Sequence, residues 1–176
     1  MKEYYDKLIR LSYICRYSNI PRIKNESVAE HSFLVAALVI KLYEEYDFNL
    51  GIALLAAVSH DITEYIVNDV THETKKMFPV IANYMKKAES VAADTLPECA
   101  RLGIKIFNGD IQMYYAEGMV TQLADIIQCQ QYAENEVRLG NKGYMAVVVD
   151  ESIARQKVLL ARLEPYKIDR RTVGIL

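Results

Sequence analysis

An all-α fold is the class this sequence predicts, and three observations carry the prediction. Apolar residues recur at spacings of three and four, as in Leu34, Leu38 and Leu42 or Val80, Tyr84, Ala88 and Val91, and not at two. Seven glycines and four prolines are scattered, with no Ser/Gly/Pro-rich tract, no repeat and no charge run. The punctuation that does occur suits helix ends. Together these give about six or seven helices and no sheet. A length of 176 residues with 52% hydrophobic content fits one domain, residues 1–176, around one sizeable core.

The first helix is expected over residues 2–17. In the stretch that follows, 18–26, Pro21 and two asparagines resist helix. Ser27 and Glu30 then make a capping box, in which each side chain bonds the other residue's backbone N–H, so a helix opens at Val28 with His31 in its first turn. Asn49 caps a third helix through Leu55 to His60, and Thr71 or Asn68 restarts the chain after a bend between Ile66 and Asp69. Pro79 opens a helix over 79–96 and Pro97 another to about residue 106, before a turn at Asn108-Gly109-Asp110. A long helix over 113–139 ends at Gly140-Asn141, and a last one covers 144–163.

Charge and cysteine content exclude several classes. Lys plus Arg total 21 against 23 Asp plus Glu, a net charge of -2, which gives no general attraction to a nucleic-acid polymer or an anionic membrane. An anionic small molecule would need a local cluster. Cys15, Cys99 and Cys129 lie far apart, an odd count that argues against a disulfide framework and for a reducing compartment. The longest apolar stretch, 50–58, is too short to span a bilayer and runs into His60 and Asp61, so the expected location is cytoplasmic. Thirteen tyrosines and much apolar surface on a small helical domain point to a homo-oligomer.

Three polar interruptions of apolar segments carry the chemistry. His60-Asp61-Ile62-Thr63-Glu64 ends an apolar run, and a charge there must be paired or bound. On a continuous helix His60 and Glu64 would share a face, aiming a ligand and a proton-handling carboxylate at one site. Taken alone, a helix-terminal His with a capping Asp explains the same residues. His31, between Ala29 and Phe33, fits either a ligand or a core histidine. Asp125, flanked by Leu123, Ala124, Ile126 and Ile127, needs a metal, a donor cluster or an arginine.

Jointly, the order His, then His-Asp-x-x-Glu, then Asp, separated by about thirty and about sixty residues, resembles the HD phosphohydrolase superfamily. Arg16, the run to Ser27-Val28-Ala29-Glu30-His31-Ser32, and the segment Leu123 to Asn141 extend the resemblance to the bacterial 5'-deoxynucleotidases and to the small phage deoxynucleoside triphosphohydrolases. It covers about residues 8–141. The resemblance implies an HD-type helical bundle with His31, His60, Asp61 and Asp125 as metal ligands, a set suited to a divalent transition metal ion such as Co, Mn, Zn, Fe or Ni. It further implies Glu64 as the catalytic acid with Asp61 beside it, and Arg16 on the phosphate.

The chain departs from that pattern in two places. The loop after the His-Asp motif reads Asn68 to Lys75, keeping Asp69 and Lys75 as substrate-binding candidates, losing the family's prolines and adding His72, which is either a further ligand or solvent-facing. Tyr17 stands where those relatives carry tryptophan and could still stack on a base or sugar. The function implied is hydrolysis of a deoxynucleoside monophosphate to nucleoside and phosphate, with release of tripolyphosphate from a triphosphate as the alternative. Too few histidines remain for a di-iron oxygenase or a cyclic-dinucleotide hydrolase. A helical sensor domain without activity is the non-enzymatic competitor.

Overall fold

The computed structural model describes residues 1–168, apart from the side chains of His72 and Glu73. Helices run α1 (Lys2–Leu11), α2 (Val28–Leu42), α3 (Leu50–Ser59), α4 (Glu64–Val67), α5 (His72–Met77), α6 (Pro79–Ala93), α7 (Glu98–Phe107), α8 (Tyr115–Arg138) and α9 (Tyr144–Leu163). Single 3-10 turns occupy Gln112–Tyr114 and Glu164–Tyr166. Among the described residues no strand forms, so the fold is all-α as expected. Beyond the expected count stand α4, a single turn too short for a periodic pattern to reveal, and α5, which opens after Thr71, one of the two expected restart points.

Caps written in the sequence do their work. Ser27 accepts from the Glu30 N–H and Glu30 from the Ser27 N–H, and Asn49 accepts from the Ile52 N–H at 3.1 Å. Pro79 is the first residue of α6. At the end of α8, Gly140 adopts φ 110°, its N–H reaching the Val137 carbonyl and that of Asn141 the Glu136 carbonyl, a Schellman closure.

Two expectations fail. The first helix stops at Leu11 and does not reach Tyr17, because Cys15 pairs antiparallel with Ser27. Arg16 N–H bonds the Glu26 carbonyl and Val28 N–H the Ile14 carbonyl, so tertiary pairing outcompetes helix propensity. Nor do His60 and Glu64 lie on one helix. The apolar stretch Leu50–Val67 is broken by a tight turn over 60–63, where Ile62 N–H bonds the Ser59 carbonyl and Glu64 N–H the Asp61 carbonyl.

The main core joins α2 (Val35, Val39, Leu42), α3 (Ala53, Ala57), α8 (Met119, Val120, Leu123, Ala124, Ile126) and α9 (Leu159, Leu163). A second cluster packs Leu11, Val28, Ile62, Tyr65, Leu96 and Ala100 together. Two glycines set how closely α7 approaches its neighbours. A Cβ on Gly103 would sit 2.6 Å from the Leu55 carbonyl oxygen of α3, and one on Gly118 of α8 only 2.4 Å from that of Ile106. With α7 held so near, Phe107 lies against His60, ring centroids 4.8 Å apart.

Candidate metal centre and its surroundings

His31 enters from the first turn of α2, His60 caps the end of α3, Asp61 opens the turn after it, and Asp125 comes from the middle of α8. The structure brings all four together. His31 Nε2 lies 3.2 Å from His60 Nε2, 3.2 Å from Asp125 Oδ1 and 3.5 Å from Asp61 Oδ2, which is itself 3.1 Å from His60 Nε2. His31, His60 and Asp125 present ligand atoms all within 4.8 Å of one another. Both imidazoles are almost wholly enclosed, whereas the Asp61 side chain keeps 24% of its exposure, so the group opens on the carboxylate side.

This donor set fits a divalent ion. His60 Nδ1 lies 2.8 Å from the Ala57 carbonyl, which can only accept, so that nitrogen carries the proton and Nε2 offers its lone pair. Two imidazole nitrogens and two carboxylates are the N2O2 chemistry of a borderline transition ion. The electrostatics agree. Burial alone would lower the His60 pKa, but Asp61 and then Asp125 outweigh it and raise it to about 9. Burial would raise the Asp61 and Asp125 carboxyls, yet the histidines hold Asp61 down at about 2 and Asp125 well below the usual carboxylate range. The pocket favours positive charge at Nε2, where a proton and a metal ion compete.

Beside this group Glu64 is different in kind. Burial first, then the charges of Asp61 and Asp69, push its carboxyl up to about 10, while Arg16 and Lys75 pull it down. Its Oε2 is buried without a hydrogen-bond partner. His60, Asp61, Glu64 and Lys75 all line one cavity of about 1130 Å³, walled on the far side by α6 and α7. The charges felt by Glu64 thus come from four of the residues that the sequence singled out.

The remaining candidates are more committed than expected. The Arg16 guanidinium is buried, Nη1 donating to Glu26 Oε2 and Gln128 Oε1, both at 2.9 Å, and Nη2 to Cys129 Sγ at 3.1 Å. Tyr17, at φ 55°, stacks on Tyr132 with centroids 5.4 Å apart and planes 2° from parallel, so one ring face is already covered. Asp69 Oδ2 accepts the Tyr17 N–H at 2.9 Å, and Lys75 Nζ lies 3.9 Å from Glu89. The His72 side chain lies outside the described ones. Sequence reasoning missed Glu26, Gln128 and Phe107; Gln128, one turn past Asp125 on an inward-facing stripe, carried the best available signal.

The sequence profile of the 5'-deoxynucleotidase YfbR-like family matches residues 3–162. The chain belongs to this family. Among curated relatives, a 5'-deoxynucleotidase of Yersinia pestis (strain Pestoides F) and one of Yersinia pseudotuberculosis serotype I (strain IP32953) are each 37% identical over 105 residues, 56% of this chain and 53% of theirs. The chain therefore spans about half the length of the curated relatives it matches. Solved structures share the fold of this YfbR-like chain. A conserved hypothetical protein from Pyrococcus furiosus superposes with a TM-score of 0.73 at 25% identity, covering 93% of this chain and 91% of that one. An HD-domain phosphohydrolase from Listeria innocua gives 0.61 at 19% identity, covering 93% and 87%.

Proposed function

We propose that the chain, as a single HD domain, is a metal-dependent phosphohydrolase that converts deoxynucleoside monophosphates to deoxynucleoside and phosphate. One observation carries this reading: two histidines and two aspartates converge beside Glu64, whose buried Oε2 has no hydrogen-bond partner, at the wall of a cavity large enough for a nucleotide. The names of the Yersinia relatives supply the substrate class.

His31, His60, Asp61 and Asp125 would hold the ion. A divalent ion bound there supplies Lewis acidity, acidifying water and offsetting phosphoryl charge. The balanced reaction adds water across the bond between phosphorus and the 5'-oxygen, and the leaving oxygen needs a proton. Glu64 is placed to hold that proton, since its carboxyl is buried beside these residues and burial favours its neutral form. Asp61 stands next to Glu64 as both a ligand candidate and the second carboxylate of the site. Arg16 and Lys75, both within electrostatic reach of Glu64, provide positive charge for the phosphate, and Tyr17 with Asp69 bounds the sugar. Free thiols at Cys15, Cys99 and Cys129 suit a reducing, cytoplasmic setting, and exposed Phe33, Val80, Tyr84 and Val91 suit self-association.

Product analysis on each deoxynucleoside mono- and triphosphate, with Co, Mn, Zn, Fe or Ni added singly and His60→Ala as the blank, tests the reading. Orthophosphate from monophosphates is expected. Tripolyphosphate from a triphosphate would instead make the chain a triphosphohydrolase, and no product from either class would overturn the enzymatic reading.

A further inference from the structure

Behind the four ligands lies a buried polar network with no place in the chemistry so far. Gln128 sits on α8 three residues beyond Asp125. Its Oε1 lies 2.6 Å from His31 Nδ1 and accepts from Arg16 Nη1 at 2.9 Å, while its Nε2 donates to Glu26 Oε1 at 2.6 Å. Glu26 Oε2 accepts from Arg16 Nη1 at 2.9 Å. Glu26 and Gln128 are both buried, at 7% and 4% exposure, so these bonds are not exchanged freely with water.

The directions of these bonds follow from one fixed point. A carboxylate paired with Arg16 can only accept, so the Gln128 group facing Glu26 must be its NH2, and the group facing His31 must be its carbonyl. A carbonyl at 2.6 Å requires a proton on His31 Nδ1. Arg16 Nη1, 2.8 Å from the same nitrogen, is itself a donor, and its two N–H groups are taken by Glu26 and Gln128. The tautomer of His31 is therefore imposed from Glu26 through Gln128. With Nδ1 protonated, the Nε2 lone pair faces Asp125, Asp61 and His60.

We propose that Gln128 is a positioning residue that holds His31 in its Nδ1–H tautomer and so presents Nε2 to the metal, with Glu26 fixing the direction of the Gln128 amide. The inference rests on the metal-centre reading above. It makes Arg16 part of this scaffold as well as a source of charge, because its Nη1 bridges both members of the relay.

An exchange of partners tests the idea. Glu26→Gln combined with Gln128→Glu keeps the total charge and restores every donor–acceptor pair with the carboxylate now facing His31, whereas Gln128→Met removes the acceptor at similar volume. Cobalt(II) affinity of chelator-treated protein, followed by visible absorption, and the His31 tautomer of the metal-free protein, followed by ¹⁵N-resolved NMR, are the two readouts. Gln128→Met is expected to weaken cobalt binding by about 10–100-fold and to lose the Nδ1–H preference of His31. The exchanged pair is expected to bind within a few-fold of the parent or tighter. Parent-like cobalt affinity with an unchanged tautomer in Gln128→Met would overturn the proposal. Should that variant not fold, a folded exchanged pair that loses cobalt overturns it equally. A parent chain that takes up no cobalt would sink the metal reading instead, and the NMR tautomer would still decide what Gln128 does.

Discussion

Replacing Gly103 by alanine tests whether the close crossing of α7 and α3 holds the site. The added Cβ would lie 2.6 Å from the Leu55 carbonyl oxygen and 2.8 Å from both Cβ and Oγ of Ser59, against 3.4 Å for ordinary contact. The Ser59 Oγ can rotate away, but its Cβ is fixed by the backbone. A backbone carbonyl inside α3 cannot move either, so α7 must retreat by about 0.8 Å at that point. Overpacking of this kind costs roughly 1–3 kcal/mol. Alanine in place of glycine recovers up to about 1 kcal/mol of helix propensity. The net loss expected is ~1–2 kcal/mol, and a domain of this size converts each kcal/mol to roughly 2–4 °C of Tm. Because Ser59 immediately precedes His60, cobalt affinity should fall together with Tm. Gly51→Ala is the control, since its Cβ would meet only Asn49 Oδ1 at an ordinary 3.5 Å, and Tm should rise slightly. Thermal unfolding and cobalt titration of both variants provide the check. A Gly103→Ala protein as stable as Gly51→Ala, with parent metal affinity, would refute the packing argument.

Other expectations concern charge. Glu64 has its pKa raised by burial, then by Asp61 and Asp69, to about 10 from 4.5, so its neutral form suits the fold below the unfolded value and folding is opposed increasingly as pH rises above it. Glu64→Gln in chelator-treated protein should therefore gain stability over the parent by a margin that widens from about pH 5 to about pH 8, and in the metal-loaded protein its turnover should fall by about 10²–10⁴-fold; a margin flat in pH would defeat this account. Glu136 is the opposite case. Burial would raise it, but the side chain of Asn141 and the N–H groups of Ile23 and Lys24 hold it below 4.5. Its contribution is complete above the unfolded pKa and fades as pH falls through the folded one. Glu136→Gln should lose roughly 1–3 kcal/mol at neutral pH, and denaturant melts should show that gap shrinking on acidification below about pH 4. Asp125→Ala should abolish cobalt binding and turnover together, whereas turnover retained at full occupancy would strike Asp125 from the ligand set.

Local signals in the sequence were enough for much of the fold. The Ser27–Glu30 box, the Asn49 cap, Pro79 and the Gly140 closure each act within a few residues, and each stands where the chain alone indicated. What could not be read was decided at long range. Nothing near Leu11 announces the end of α1, because the cause is a pairing of Cys15 with Ser27. The turn over 60–63 was hidden for a similar reason: His-Asp-Ile-Thr continues a helical pattern, and only the tertiary setting tightens it. His31, His60 and Asp125 stood out because buried polar residues in apolar runs need partners, while their candidacy as a ligand set with Asp61 came from the family resemblance. Glu26 and the tie between Tyr17 and Asp69 did not stand out, since neither interrupts anything.

On α8, the residues Asp125, Gln128, Cys129, Tyr132 and Glu136 fall on one side. In order they meet His31 Nε2, His31 Nδ1, Arg16, the Tyr17 ring together with the Lys24 carbonyl, and the Ile23 and Lys24 amides. The helix is thus a ruler about 16 Å long against which residues 16–26 are read off. Such a ruler tolerates a change of letter at many marks but no change of spacing. One residue inserted between 125 and 136 would swing everything beyond it by about 100°, detaching the loop clamp from Asp125 and His31 at a stroke. Lineages that keep this chemistry should therefore vary in length at 140–143 or within 18–26, and hold the interval from Asp125 to Glu136 constant.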